Sequence, residues 1–352
     1  MQEVPDIVED KEFKTMDVIR ELKKKIASPS ARVVFPEGED EKIIQSARRI
    51  VDEAIGCPIL LGDEKRIGGL AAKMQVNLKD IEVINPAFYQ KWDSYLEKYC
   101  KERECSEAAA RIILSKPVYF GAMMVKAGDA DTMVAGIIAE TEEVIMAGQL
   151  IVGIREGIST PSSFFLMEIP GYEGKEGNAL IFADASVNPD PSAEQLADIS
   201  LATAGSAVKL FGWEPRVALL SFSTKGSAEH ESVDKVVEAL RIVREREPSL
   251  CVDGEMQADA AIVPEVAMKK IQGGGAVCGQ ANILIFPDLN SANICYKLVQ
   301  RLTKGRAYGP FLQGFARQIS DLSRGASVED VVGATIMSVV ASSGNAQYNL
   351  KS

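Results

Sequence analysis

The chain has 352 residues with Lys+Arg 39 against Asp+Glu 50, a formal net charge of −11. That length exceeds what one hydrophobic core usually serves, so two domains are expected, and 46% hydrophobic with 25% charged residues excludes a disordered chain. No apolar run approaches the roughly 18 residues of a membrane span, and the acidity argues against nucleic acid or an anionic membrane, though not against a small anion held in a local basic pocket.

Met1–Ile26 is charged and reads as a leader with a first helix at Met16–Ile26, too acidic and interrupted for a signal peptide. Arg32–Phe35 is a buried strand stopped by Pro36 and Gly38. Glu39–Ile55 carries Ile43, Ala47, Ile50, Val51 and Ala54 on one helical face. Strands follow at Pro58–Leu61 and Ile81–Ile84, helices at Tyr89–Cys100 and Ser106–Leu114, a strand at Thr132–Ala135 and a helix at Glu142–Val152. Further strands fall at Ser163–Leu166, Ala179–Phe182, Arg216–Ser221 and Asn282–Phe286. Further helices fall at Pro191–Leu210, Ser232–Glu245, Ser291–Leu302 and Ser327–Val340. Short apolar strands alternating with amphipathic helices specify an α/β fold with parallel sheets covered on both faces. Ligands in such folds bind at the carboxyl ends of strands. Gly153–Pro161 is turn-rich and reads as a hinge.

Several chemistries close early. Cys57, Cys100, Cys105, Cys251, Cys278 and Cys295 form no Cys-x-x-Cys pair and read as reduced thiols of a cytoplasmic protein. His230 is the only histidine, so a Ser-His-Asp triad or a His-rich metal site has little to build on. Carboxylates, arginines, lysines, hydroxyls and backbone amides must carry the chemistry.

Three loop segments are candidates. Ser221-Phe-Ser-Thr-Lys-Gly-Ser227 leaves a strand and offers Ser221, Ser223, Thr224, Lys225, Gly226 and Ser227 to an anion. It lacks the spacing of a Walker nucleotide loop, and an ordinary polar crossover accounts for it equally well. In Asp321–Asp330, Ser327 and Asp330 have the spacing of a capping box, while Ser323 and Arg324 precede a helix amino terminus that favours an oxyanion. In Phe182–Asp190, Asp190-Pro191 reads as an N-cap followed by a first-turn proline, whereas Asp184 has no such local use.

These pieces occur together with Val33-Val-Phe-Pro-Glu-Gly-Glu-Asp40, Tyr119-Phe-Gly-Ala-Met-Met-Val125, Ala130-Asp-Thr-Met-Val-Ala-Gly136, Asp253-Gly-Glu-Met-Gln257, Ala281-Asn-Ile-Leu-Ile-Phe-Pro287 and Asn293-Ile-Cys-Tyr-Lys297. In number, order and spacing the set resembles the phosphate acetyltransferase / phosphate butyryltransferase family over nearly the whole chain beyond the leader. The resemblance implies a cytoplasmic homodimer of two α/β/α domains with mostly parallel sheets and an active-site cleft between them. It implies a discontinuous first domain, 1–157 plus 311–352, and a second, 158–310. The implied reaction is acetyl-CoA plus phosphate giving acetyl phosphate plus CoA, with coenzyme A as substrate, no tightly bound cofactor and no metal.

Carried over by motif, Arg324 would hold the phosphoryl group, Ser323 would hydrogen-bond the reacting oxygen or thiol, Asp330 would take the thiol proton and Lys297 would add charge near the phosphate. Asp184 and the serine loop join them as substrate-binding candidates. A carboxylate near 4 taking a proton from a thiol near 8.5 faces roughly 6 kcal/mol. Burial of Asp330, or stabilisation of the thiolate by Arg324 and the helix end, would have to close that gap. The chain also departs from the family: Met146 and Cys100 stand where the resemblance places arginines that hold CoA or phosphate, with Lys101, Arg103 and Arg155 nearby as substitutes. An acyl-CoA-sensing protein with little turnover is therefore the alternative. A metal- and NAD-dependent decarboxylating dehydrogenase is a third reading, disfavoured because no Gly-x-Gly-x-x-Gly follows a strand.

Overall fold

Eleven strands alternate with helices in the computed structural model, which describes residues 18–26, 29–271 and 273–343. The expected leader, together with Met16 and Asp17 of the expected first helix, lies outside them; within them that helix runs Val18–Lys24. In chain order the strands are β1 (Arg32–Phe35), β2 (Cys57–Leu61), β3 (Glu82–Ile84), β4 (Thr132–Ala135), β5 (Ser162–Glu168), β6 (Ala179–Ala183), β7 (Arg216–Leu220), β8 (Cys251–Met256), β9 (Ile283–Ile285), β10 (Arg306–Gln313) and β11 (Ile319–Asp321). They form a five-stranded sheet ordered β11-β4-β1-β2-β3 and a six-stranded sheet ordered β10-β5-β6-β9-β7-β8.

The first sheet is wholly parallel. Its strands are apolar on both sides because helices cover both. Val33 and Phe35 pack with Ile43, Ile50 and Val339, while Val34 between them packs with Leu96, Phe120 and Val144, the two-residue alternation of a pleated strand. The second sheet is mixed: β5 pairs antiparallel with both β6 and β10, and the rest is parallel. Its faces are likewise divided, Ile181 and Leu219 packing with Leu196 and Val236, and Phe182 and Leu220 with Ala260 and Ala292. The architecture is α/β with two mostly parallel, helix-covered sheets.

The differences from the sequence pattern have local causes. The helix Pro117–Ala127 has Val118 through Val125 all buried, and an element apolar all round carries no amphipathic stripe. With Glu107–Leu114 it forms an apolar pair bent by 104°; among the described residues no single helix is long and apolar enough to cross a membrane. Strand β8 is buried yet contains Asp253 and Glu255, so hydrophobicity does not mark it. Strand β10 holds Gly309-Pro310 at a register irregularity between Tyr308 and Phe311, as an edge strand tolerates, and it continues in the second sheet to Gln313. The expected N-cap at Asp190 is not used: Ser192 caps Ala193–Ser206 in a capping box with Gln195, and Asp190 pairs with Lys235 at 2.7 Å.

Two expected helices end in π-helical turns, Gly148–Val152 after Thr141–Ala147 and Ala207–Phe211 after Ala193–Ser206. At Gly148 a Cβ would lie 2.5 Å from Ile319 Cδ1 and 2.6 Å from Phe315. Only glycine lets this helix approach β11 and the segment before it so closely.

Candidate active site

In the first sheet the chain runs outward from β1 through β2 to β3, then returns to place β4 on the other side of β1. This reversal is a topological switch point, where loops diverge and leave a crevice at the carboxyl ends of the strands. Glu37 follows β1 there, and its nearly buried carboxylate takes four successive amides of the loop after β4. Gly136 and Ile137 donate to Oε2 at 3.0 Å each, Ile138 and Ala139 to Oε1 at 2.8 and 2.7 Å. Four hydrogen bonds to one side chain fix this loop as a rigid floor.

Strand β11 ends against that floor. Asp321, its last residue, is 2% exposed. Its Oδ2 accepts the Thr141 hydroxyl at 2.6 Å, and its Oδ1 is buried with no hydrogen-bond partner. Gly136 has φ 108°, and a Cβ there would sit 2.2 Å from Asp321 Oδ1, so glycine alone admits the carboxyl. Burial pushes the Asp321 pKa up to about 7; the hydrogen bonds from Thr141 and the Leu322 amide oppose the rise and the Glu37 charge adds to it.

Above Asp321 opens a cleft of ≈ 410 Å³ bounded by both halves of the molecule. Asp321, Ser323 and Arg324 come from the end of β11, and Asn293, Tyr296 and Lys297 from the helix Leu289–Thr303. An adjoining cavity of ≈ 600 Å³ lies between Glu142, Met146 and Gln149 on one side and Ser159, Thr160 and Asn188 on the other. Thr141 and Ser186 line both spaces.

The cations here are free to meet a ligand. Arg324 pairs with Glu140 at 2.9 Å, with side chains 63% and 71% exposed; such a surface pair is worth ~0–1 kcal/mol and yields readily to an anion. Lys297 lies over the Tyr296 ring, 5.4 Å from its centre, and Tyr296 stacks on Phe165 at 4.2 Å; among the described residues it has no carboxylate partner. Ser323 is exposed, its hydroxyl accepting the Gly325 amide at 3.3 Å. The structure thus brings Ser323, Arg324 and Lys297 together.

The other candidates sit elsewhere. Asp330 lines neither cavity; its Oδ2 takes the Ser327 amide and hydroxyl, both at 2.8 Å, in the capping box that opens Val328–Ser342. Asp184 is buried, with Oδ1 taking the amides of Ser163, Ser186 and Val187 and Oδ2 the Asn188 amide and side chain. It shapes the Ser186–Asn188 cavity wall from behind.

The serine loop closes on itself. The Ser223 hydroxyl and Gly226 amide donate to Glu255 Oε1 at 2.8 and 2.7 Å. Lys225 reaches the Asp253 carboxylate and the Gly254 carbonyl. Ser221 and Ser227 accept the amides of Ser223 and Thr224 at 3.2 and 2.9 Å, and Thr224 donates to Gln257 at 3.2 Å. None of Ser221, Ser223, Thr224, Lys225, Gly226 or Ser227 lines either cavity.

Of the two departures from the arginine pattern, Met146 lines the larger cavity and is 44% exposed, whereas Cys100 lies on the helix Trp92–Arg103 and lines neither. Arg103 is committed to the carbonyls of Leu150 and Gln149, both at 2.9 Å, and neither Lys101 nor Arg155 lines a cavity. The residues that sequence reasoning did not single out are Glu37, Thr141 and Asp321. A carboxylate ending a short strand was the available signal for Asp321, but the strand itself was not evident. Among the described residues no group of three or more His, Cys, Asp or Glu is arranged to hold a metal ion.

The chain matches known proteins along nearly all its length. The family model for phosphate acetyl/butaryl transferase matches residues 17–339. A phosphate acetyltransferase of Thermoanaerobacterium thermosaccharolyticum is 42% identical over 320 residues, 90% of this chain and 97% of that protein. One of Treponema pallidum is 42% identical over 337 residues, 94% of this chain and 100% of that protein. The crystal structure of a phosphotransacetylase from Streptococcus pyogenes superposes with a TM-score of 0.87 at 39% identity, covering 92% of this chain and 98% of its own. This chain belongs to the phosphate acetyl/butaryl transferase family.

Proposed function

We propose that this chain is a phosphate acetyltransferase, moving an acetyl group reversibly between coenzyme A and inorganic phosphate. The observation that carries the reading is the convergence of Arg324, Lys297 and Ser323 on one cleft, with family membership behind it. Arg324 binds the phosphoryl oxygens through its planar fork, Lys297 adds a second positive charge, and Ser323 hydrogen-bonds the reacting oxygen or sulfur. The adjoining ≈ 600 Å³ cavity takes the acyl and thiol end of coenzyme A. Asp330, as the family resemblance has it, takes the thiol proton, a role that would draw its carboxylate out of the capping box. The serine loop and Asp184 are assigned to the framework, because their polar atoms are occupied within the protein.

Two domains, 1–157 plus 311–352 and 158–310, are part of the reading, supported by the sheet to which each strand belongs except at the second boundary, where Phe311–Gln313 of β10 still pair with β5. So is a homodimer, supported by Ile294, Leu298 and Leu302, which are 58%, 54% and 80% exposed and spaced to form one stripe along Leu289–Thr303. Cytoplasmic residence fits six free cysteines, and no tightly bound cofactor is invoked. A second reading, an acyl-CoA sensor with little turnover, is favoured by one observation: an apolar Met146 in the wall of the larger cavity.

The deciding experiment follows free thiol after mixing the protein with acetyl-CoA, with and without phosphate. Phosphate-dependent release supports the transferase, and propionyl- and butyryl-CoA then define chain preference. No release from protein that acetyl-CoA raises in melting temperature supports the sensor. Light scattering decides the dimer.

A further inference from the structure

We propose that the larger cavity recognises the uncharged pantetheine arm of the acyl donor and makes no ionic contact with its nucleotide phosphates, so that acetyl thioesters of pantetheine lacking the nucleotide are substrates as well. This names the donor class of the function proposed above and rests on that reading.

Charge separates the two adjoining spaces. The cleft presents Arg324 and Lys297. The cavity beside it has no lysine, arginine or histidine among the described residues that line it, and Glu142 is its single ionisable side chain. Glu142 is exposed and without an ion-pair partner among the described residues. Cations on neighbouring elements do not make up the difference. Arg103 is spent on the carbonyls of Leu150 and Gln149, and Lys101 and Arg155 line neither space. A nucleotide diphosphate drawn against such a wall would lose water with no cation in return and would face a carboxylate. The net charge of −11 adds a repulsion toward any polyanion approaching from solvent.

Uncharged groups, by contrast, meet partners here. Pantetheine is a flexible chain of methylenes with two amides, a hydroxyl and a geminal dimethyl group. The wall offers it neutral donors and acceptors that the fold has left unused. The side chains of Gln149 and Ser186 have no hydrogen-bond partner among the described residues. Asn188 gives its Nδ2 to the Pro161 carbonyl at 3.0 Å and to Asp184 Oδ2 at 2.6 Å, which fixes the amide and leaves Oδ1 to accept. Gln195 Oε1 takes the Ser192 amide at 2.8 Å, leaving Nε2 to donate. Ile145, Met146 and Val187 supply the apolar part of the wall. The volume of ≈ 600 Å³ falls within the ~300–1,000 Å³ of small-molecule sites, where apolar walls carry a few orienting polar groups.

Thr141 and Ser186 line both spaces, so an arm laid in the cavity brings its thioester to the junction with the cleft, beside the phosphate that Arg324 and Lys297 hold. The nucleotide then lies beyond the recognised part. The bond changes are the same for every such donor. A phosphate oxygen forms the C–O bond to the acetyl carbon, the C–S bond breaks with its electron pair on sulfur, and the proton released by hydrogen phosphate ends on the leaving thiol. Binding energy from the arm is available to every pantetheine thioester, whereas a nucleotide without ionic contacts adds little to it.

The test compares acetyl-CoA, acetyl-dephospho-CoA, which lacks the 3′-phosphate, and S-acetylpantetheine as donors, following phosphate-dependent thiol release at saturating phosphate. Removing the 3′-phosphate should change kcat/KM by less than about threefold, and S-acetylpantetheine should retain kcat/KM within about tenfold of acetyl-CoA. The KM for acetyl-CoA should not rise with added salt, since no ionic contact is there to be screened. Glu142→Lys places a cation on the exposed rim of the cavity. It should lower KM for acetyl-CoA about fivefold and leave S-acetylpantetheine within twofold, because only the former carries phosphates. A larger loss on removing the 3′-phosphate, or no phosphate-dependent release from S-acetylpantetheine while acetyl-CoA is turned over, overturns this specificity alone. An equal response of the two donors to Glu142→Lys overturns the placement of the arm in this cavity. Absence of release from all three donors overturns the proposed function and this specificity together.

Discussion

The segment after β11 and the loop after β7 make an instructive pair. Each leaves the carboxyl end of a parallel strand, and each is rich in hydroxyls, backbone amides and a cation. In the loop after β7 the donors have internal partners: Glu255 takes Ser223 and Gly226, and Asp253 takes Lys225. After β11, Arg324 holds only an exposed carboxylate, and Asp321 Oδ1 holds nothing. Polarity in a loop therefore does not make a site, and neither does one unpartnered oxygen, since Asp253 Oδ2 is also buried without a partner; what distinguishes the β11 segment is a cation held only by a surface pair and facing a cleft.

The sharpest way to break this comparison is Arg324→Ala. Turnover should fall about 10³-fold in kcat/KM, consistent with losing an electrostatic donor at the reacting group, while the melting temperature stays within about 2 °C because the lost ion pair is a surface one. Near-normal phosphate-dependent thiol release would remove Arg324 from the mechanism. Next comes Asp321→Asn, read by urea denaturation at pH 4 and pH 8. A carboxyl whose folded pKa is raised to about 7 contributes its stability below about pH 4 and loses it as pH rises through 7. The asparagine variant should therefore gain about 3 kcal/mol on the parent between those two pH values, and a constant difference would deny the buried proton.

Glu255→Ala should show the opposite behaviour to Arg324→Ala. Removing the acceptor strands the Ser223 and Gly226 donors, so stability should drop by about 2–3 kcal/mol with kcat/KM of the folded protein within threefold. A large loss of activity at unchanged stability would return the serine loop to the site. The smallest expected effect is Met146→Arg: a cation facing the larger cavity should lower the apparent KM for CoA or phosphate about fivefold, near 1 kcal/mol. No gain would mean that another residue already fills that role.

Where burial and period coincide, the fold was legible in the chain: β1 and β4 run Arg32–Phe35 and Thr132–Ala135 as their apolar tetrapeptides indicate. Legibility failed where another requirement replaced hydrophobic periodicity. The strand β8 carries acids that hold a loop, the helix Pro117–Ala127 is apolar on every side, and β11 is three residues long. The site divided along the same line. Ser323, Arg324 and Lys297 were readable from motif, but Thr141 and Asp321 lie 180 positions apart, and their meeting depends on β11 seating beside β4 with Asp321 opposite Ala135.

Sequence by itself determined the α/β class, most of the elements and the family resemblance, and pointed to the cations that line the candidate cleft, because these rest on side-chain type and short-range spacing. Tertiary structure alone decided which loops are spent and which are open, since hydrogen-bond partners such as Glu255 for Ser223 or Thr141 for Asp321 come from distant strands. It also decided which carboxylate is buried enough to hold a proton near neutrality, because desolvation belongs to the packed surroundings of a group and not to its neighbours along the chain.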